Sequence, residues 1–93
     1  MIRIAICDDE KKILDEVEGY IKNYAEKEND LDIEVFRFDS AKTLISAIED
    51  GKSFDIFVLD VYIGDEMGTA LAGDIRKFGI ESPIIFATTS LEH

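Results

Sequence analysis

Residues 54–68 read FDIFVLDVYIGDEMG. An apolar run from Phe54 to Leu59, broken only by Asp55, stops at a carboxylate, Asp60, and a glycine-containing loop follows. A second run, Ile2-Arg3-Ile4-Ala5-Ile6-Cys7, stops in the same way at Asp8-Asp9-Glu10. Short, β-branched apolar runs bounded by turn residues read as strands covered on both faces, with Arg3 near the start of the first. Two buried strands that both end in acids predict one site at one edge of a parallel sheet. Ligands of open α/β sheets bind there, outside the carboxyl ends of the strands.

The segments around these strands alternate. Ile13, Leu14, Val17, Tyr20, Ile21 and Tyr24 recur at three- and four-residue steps and predict one apolar helical stripe. Lys12, Glu16, Lys22, Glu26 and Lys27 take the opposite face, and the polar stretch from Glu26 to Asp32 ends the helix. Ile33 to Phe38 is a second strand, with Ile33, Val35 and Arg37 on one side and Phe36 and Phe38 on the other; its charges place it at a sheet edge. Asp39 or Ser40 caps a second helix that carries Leu44, Ile45, Ala47 and Ile48 and stops at Gly51. After the Asp60 loop, Thr69 is expected to cap a third helix with Leu71, Ile75 and Phe78 on one face, ended by Gly79. Pro83 to Ala87 forms a fourth strand running into Thr88-Thr89-Ser90. The order βαβαβαβ, with helical crossovers, predicts parallel strands joined by right-handed connections.

The chain has 93 residues, enough for one small domain with one core. At 46% hydrophobic and 33% charged it reads as globular. A formal net charge of −11 argues against direct binding of nucleic acid or an anionic membrane surface by this segment. The single cysteine, Cys7, closes an apolar strand and reads as a buried free thiol, which points to a cytoplasmic protein. No apolar stretch approaches the roughly 20 residues that span a bilayer, and a strand directly after Met1 leaves no room for a signal peptide.

Three carboxylates, Asp8, Asp9 and Asp60, thus meet at one sheet edge, with the hydroxyl of Thr88 at the end of the next strand. Left alone, the acids repel and one holds its proton toward neutral pH. A hard dication such as Mg2+ removes the conflict with oxygen ligands. A carboxylate is also a recognised nucleophile toward phosphoryl groups, so the pattern points to a Mg2+-dependent phosphoacceptor built on Asp60. Taken singly, Asp8-Asp9 before a helix is ordinary capping chemistry and Asp60 an ordinary turn residue. Asp65 and Glu66 read as solvated loop charges, and Gly64 and Gly68 serve backbone geometry. The coincidence of all the polar groups at strand ends carries the functional reading.

These residues resemble the receiver domain of two-component response regulators, from Ile2 to Ser90. The matching motifs are Asp8-Asp9 after strand one, Asp60 in FVLD, Gly68 eight residues later and Thr88 after PIIFA. The resemblance implies a flavodoxin-like (CheY-like) α/β fold, a doubly wound parallel sheet of order 2-1-3-4. It implies that Asp8, Asp9 and Asp60 hold Mg2+ with the backbone carbonyl of Tyr62, that Asp60 accepts a phosphoryl group from a sensor histidine kinase, and that Thr88 contacts that group. The stretches ICDDE, LDVYIGDEMG and IIFATTS are most similar to receivers attached to LytTR-type DNA-binding domains, which implies transcription as the output.

Receivers normally continue through a fourth helix, a fifth strand, a Lys that contacts the phosphoryl group, and a fifth helix. Residues 1–93 therefore read as the N-terminal portion of one receiver domain, lacking the final strand and helices, with Leu91-Glu92-His93 either native or the start of a tag scar. An open fourth strand then predicts a dimer or an exchanged assembly, and the missing Lys predicts weak phosphoryl transfer. Two other functions compete. A Mg2+-dependent phosphohydrolase of the dehalogenase-like type needs a second acid two residues after the nucleophile, where this chain has Tyr62. A receiver-like module that is never phosphorylated has no need of Asp8, Asp9, Asp60 and Thr88 together. Nucleotide binding lacks a glycine-rich phosphate loop.

Overall fold

The computed structural model describes residues 1–28 and 31–87. Thr88 and the segment Leu91-Glu92-His93 lie outside the described residues. In chain order the elements are β1 (Ile2–Cys7), α1 (Lys11–Lys27), β2 (Ile33–Phe38), α2 (Ala41–Glu49), β3 (Ile56–Leu59), β4 (Tyr62–Ile63), β5 (Glu66–Met67), α3 (Gly68–Lys77) and β6 (Ile84–Phe86). The main sheet has the order β2-β1-β3-β6 with every pair parallel. This is the expected 2-1-3-4 order, β6 being the fourth strand of that sheet.

Alternation along the strands divides the core in two. Ala5 and Cys7 of β1, with Phe57 and Leu59 of β3, point to the side covered by α2 and α3, where Leu44, Ala47, Ile48, Leu71 and Ile75 close the main core. Ile4 and Ile6 point to the other side and pack with Leu14 of α1, joined by half-buried Val17, Ile21, Ile56 and Val58. Both sides of β1 are thus covered, which is why it reads as a nearly unbroken apolar run. Phe54 anchors an aromatic cluster in edge-to-face geometry, its ring centroid 5.3 Å from Phe36 and 5.7 Å from both Phe38 and Phe57.

Several local expectations hold. Ser40 caps α2, its side chain accepting the Thr43 N–H at 3.1 Å. Gly51 and Gly79 end α2 and α3 with φ of 92° and 78°, values that favour glycine. Arg37 does face α1, where Asp15 and Glu18 bind it at 2.7 and 2.9 Å. Those ion pairs pull both carboxyls below their ordinary range, Asp15 chiefly through Arg37 and Glu18 chiefly through Lys22. Among the described residues, no helix is long and apolar enough to cross a membrane.

Others are corrected. Strand three begins at Ile56 rather than Phe54, because the Asp55 carboxylate takes the Arg3 backbone N–H at 2.8 Å and Phe54 turns into the aromatic cluster. Arg3 does lie near the start of β1, as expected, and lays its guanidinium over the Phe36 ring at 5.3 Å. Tyr20 and Tyr24 are exposed, whereas Leu14 and Ala25 are the buried residues of α1. The line that meets the sheet runs through Leu14, Val17 and Ile21 to Ala25. Tyr20 and Tyr24 each sit one residue off it, a rotation of about 100°. Thr69 does not cap α3; the helix starts at Gly68 after Met67, with no side-chain cap. Phe78 follows α3 as an exposed residue rather than completing its buried face. The fourth sheet strand is Ile84–Phe86, shorter than the expected run from Pro83 to Ala87.

Candidate acidic site

Strand register builds the site. Cys7 and Leu59 are paired across β1 and β3, so the residues that follow them, Asp8 and Asp60, leave the sheet side by side. The backbone extends the pairing by one step, with the Asp60 N–H donating to Cys7 O at 3.2 Å and the Asp8 N–H to Phe38 O at 3.1 Å. Carboxylate oxygens of Asp8, Asp9 and Asp60 consequently lie within 4.8 Å of one another. Asp8 is buried, Asp60 half-buried and Asp9 exposed.

Neither Asp8 nor Asp9 caps α1, whose capping residue is Glu10 and makes no side-chain cap bond. Asp8 Oδ1 instead accepts the Glu10 N–H at 2.9 Å, and Asp60 Oδ1 accepts the Val61 N–H at 2.8 Å. Each bond takes one oxygen of its carboxylate and fixes the plane of the group. Burial pushes the Asp8 carboxyl up to about 6; the Glu10 N–H opposes that, while Asp60, Asp9 and Glu10 add to it as negative neighbours. Cys7 lies directly behind, its Sγ donating to Ser40 O at 3.4 Å. Burial, reinforced by Asp8, Asp39, Asp9 and Asp60, pushes this thiol up to about 12. That shift favours the neutral thiol over the nucleophilic thiolate.

The segment after Asp60 is more ordered than the expected loop. Tyr62 pairs with Met67 and Ile63 with Glu66, so β4 and β5 form a hairpin. Gly64 and Asp65 are its two-residue turn, with Gly64 at φ 62°. A glycine-containing pair is the turn signal for such a hairpin, but flanking strands of two residues are too short to show alternation. Tyr62 itself is exposed, and the side-chain cluster comprises the three aspartates. The hairpin returns the chain to Asp60 at Gly68, whose N–H donates to Val61 O. A Cβ on Gly68 would overlap the Asp60 carbonyl oxygen and stand 3.1 Å from the Asp60 carbonyl carbon and 3.3 Å from Phe86 Cε1. The glycine expected for loop geometry is thus required by a close approach of two backbones. Asp8, Asp9, Asp60 and Gly68 come together; Thr88 lies outside the described residues.

Comparison with known proteins bears on the family and the fold. The family model for the response regulator receiver domain matches residues 4–93. The transcriptional regulatory protein CitT of Bacillus subtilis strain 168 is 33% identical over 96 residues, covering 99% of this chain and 38% of that protein. This chain therefore spans well under half the length of that relative. The receiver domain of the Francisella response regulator 1452 superposes with a TM-score of 0.70 at 26% identity, over 100% of this chain and 69% of that one. A response regulator receiver domain protein from Clostridium thermocellum shares the fold, with a TM-score of 0.75 at 21% identity, over 95% of this chain and 65% of that one.

Proposed function

The chain belongs to the response regulator receiver domain family, and on that premise we propose that Asp60 is the phosphoacceptor of a Mg2+-dependent switch. The observation that carries this reading is the convergence of Asp8, Asp9 and Asp60 within 4.8 Å, where the charged neighbours acting most on Asp8 are themselves acids. A crowded set of carboxylate oxygens with uncompensated charge is the donor set of a hard dication. Asp8, Asp9 and Asp60 would hold Mg2+, together with the Tyr62 carbonyl. When bound, the ion supplies positive charge that offsets charge on the phosphoryl oxygens. Asp60 keeps Oδ1 on the Val61 N–H, which orients the carboxylate. Its other oxygen attacks phosphorus; the O–P bond forms as the P–N bond of a kinase phosphohistidine breaks, and the imidazole leaves with the electron pair and takes a proton. Thr88 is assigned the phosphoryl contact by the family resemblance alone.

Residues 1–93 act in this reading as a receiver domain in the cytoplasm, served by a sensor histidine kinase. Transcription is the proposed output, supported by the name of the Bacillus relative; a LytTR-type DNA-binding domain as its vehicle rests on the likeness of the motifs alone. A second proposal concerns assembly. Among the described residues β6 pairs only with β3, and Ile85 and Phe86 on it are exposed. An apolar strand edge of this kind supports association of two chains along β6. Sedimentation should show a dimer growing with concentration; a chain that stays monomeric at millimolar concentration contradicts it.

The switch reading is tested by urea unfolding from pH 4 to pH 8, with and without Mg2+. Asp8 has a folded pKa raised to about 6, so the folded state holds a proton that the unfolded state has lost. The metal-free chain should therefore lose stability as pH rises from about 4 to about 6, and Asp8→Asn should remove that slope. The Asp15 and Glu18 pairs, with lowered pKa values, act in the opposite sense and at lower pH. Mg2+ binds the deprotonated set, so its stabilisation should appear as pH passes about 6 and reach about 2.7 kcal/mol at a hundred times Kd. Equal Mg2+ effects at pH 4 and pH 8, or none at either, contradict the metal site.

A further inference from the structure

Side chains on β6 alternate between the faces of the sheet. Ile85 falls on the α1 side, beside Ile56 and Val58. Phe86, like Ile84, falls on the side of α2 and α3. Phe86 is paired in register with Leu59, the residue before Asp60, and the next N–H, of Ala87, donates to Leu59 O at 2.8 Å. Phe86 as a residue is 39% exposed, so it is not held by the deep core alone. It reaches instead to Gly68, with Cε1 3.3 Å from the place a Gly68 Cβ would occupy. Gly68 in turn lies on the Asp60 carbonyl and donates its N–H to Val61 O.

We infer that Phe86 is a positioning residue for Asp60. The ring forms a wall behind Gly68 and keeps the start of α3 seated on the Asp60 and Val61 backbone. The Val61 N–H is the donor that orients the Asp60 carboxylate. Removing the ring therefore loosens the carboxylate without touching it. The consequence for Mg2+ rests on the phosphoacceptor reading; the geometric claim does not.

The test measures amide hydrogen exchange at Val61 and Gly68 in the metal-free chain, and Mg2+ affinity by calorimetry. The variants are Phe86→Ala, Phe86→Leu and, as a neighbour on the opposite face, Ile85→Ala. Exchange at both amides should quicken about tenfold in Phe86→Ala, less in Phe86→Leu and not in Ile85→Ala, with β1 amides unchanged throughout. Mg2+ affinity should fall in the same order. Unchanged exchange at Val61 and Gly68 in Phe86→Ala, or an equal change in Ile85→Ala, overturns the inference. A parent chain that binds no Mg2+ overturns the phosphoacceptor reading, and the exchange rates still decide the role of Phe86.

Discussion

Asp60→Asn should abolish the stabilisation by Mg2+ and at the same time make the metal-free chain more stable at neutral pH. The two effects share one cause. Asp60 contributes a charged oxygen to a cluster no wider than 4.8 Å. Its charge attracts a dication and repels Asp8, whose carboxyl is already pushed up to about 6. Asn keeps an Oδ1 that accepts the Val61 N–H, so the local backbone has no reason to move. What is lost is the charge. The metal-free chain should gain on the order of 1 kcal/mol, since like charges a few ångströms apart near a surface repel by a few kcal/mol at most. Paired urea titrations of the two chains at pH 7.5, with and without Mg2+, measure both terms. A variant that is destabilised without metal, or that still responds to Mg2+ like its parent, contradicts the assignment.

Gly68→Ala should cost about 3 kcal/mol or more of stability and weaken Mg2+ binding with it. The added methyl would overlap the Asp60 carbonyl oxygen, a backbone atom that cannot swing aside. Either α3 shifts away from the sheet or Asp60 moves, and both disturb the acidic edge. Helix propensity alone predicts the opposite sign, because alanine is favoured over glycine within a helix by up to about 1 kcal/mol. Gly73, in the same helix, separates the two effects. A Cβ there meets nothing within 4 Å, so Gly73→Ala should stabilise the chain. Denaturation of the two variants side by side is the check; equal effects of the same sign would remove the close approach from the explanation.

Strand order and the meeting of the three acids were legible because each depends on a robust pattern. Apolar runs that stop at Asp8 and Asp60 define the strand ends, and parallel pairing of Cys7 with Leu59 then brings the acids together whatever the loops do. The ends of α2 and α3 were legible because Gly51 and Gly79 occupy backbone conformations that other residues rarely adopt. The hairpin from Tyr62 to Met67 is not legible in the sequence because its strands are only two residues long, too short for alternation to register. Thr69 carries the right side chain for a cap, but the chain enters α3 two residues earlier, with Met67 in the capping place and Gly68 bonded to Val61. Tyr20 and Tyr24 fit the period of the α1 stripe, yet only the width of the sheet beneath decides how much of a stripe is covered. Phe86 could not have been singled out, since its approach to the place of a Gly68 Cβ joins two elements that periodicity treats separately.

The proposed switch depends on transfer of a phosphoryl group to Asp60. Intact mass after incubation with Mg2+ and a small-molecule phosphodonor measures this directly, on this chain and on Asp60→Asn. The expected result is one Mg2+-dependent phosphoryl adduct on the parent and none on the variant. An adduct that persists in Asp60→Asn, or no adduct on a parent chain shown to bind Mg2+, would contradict it.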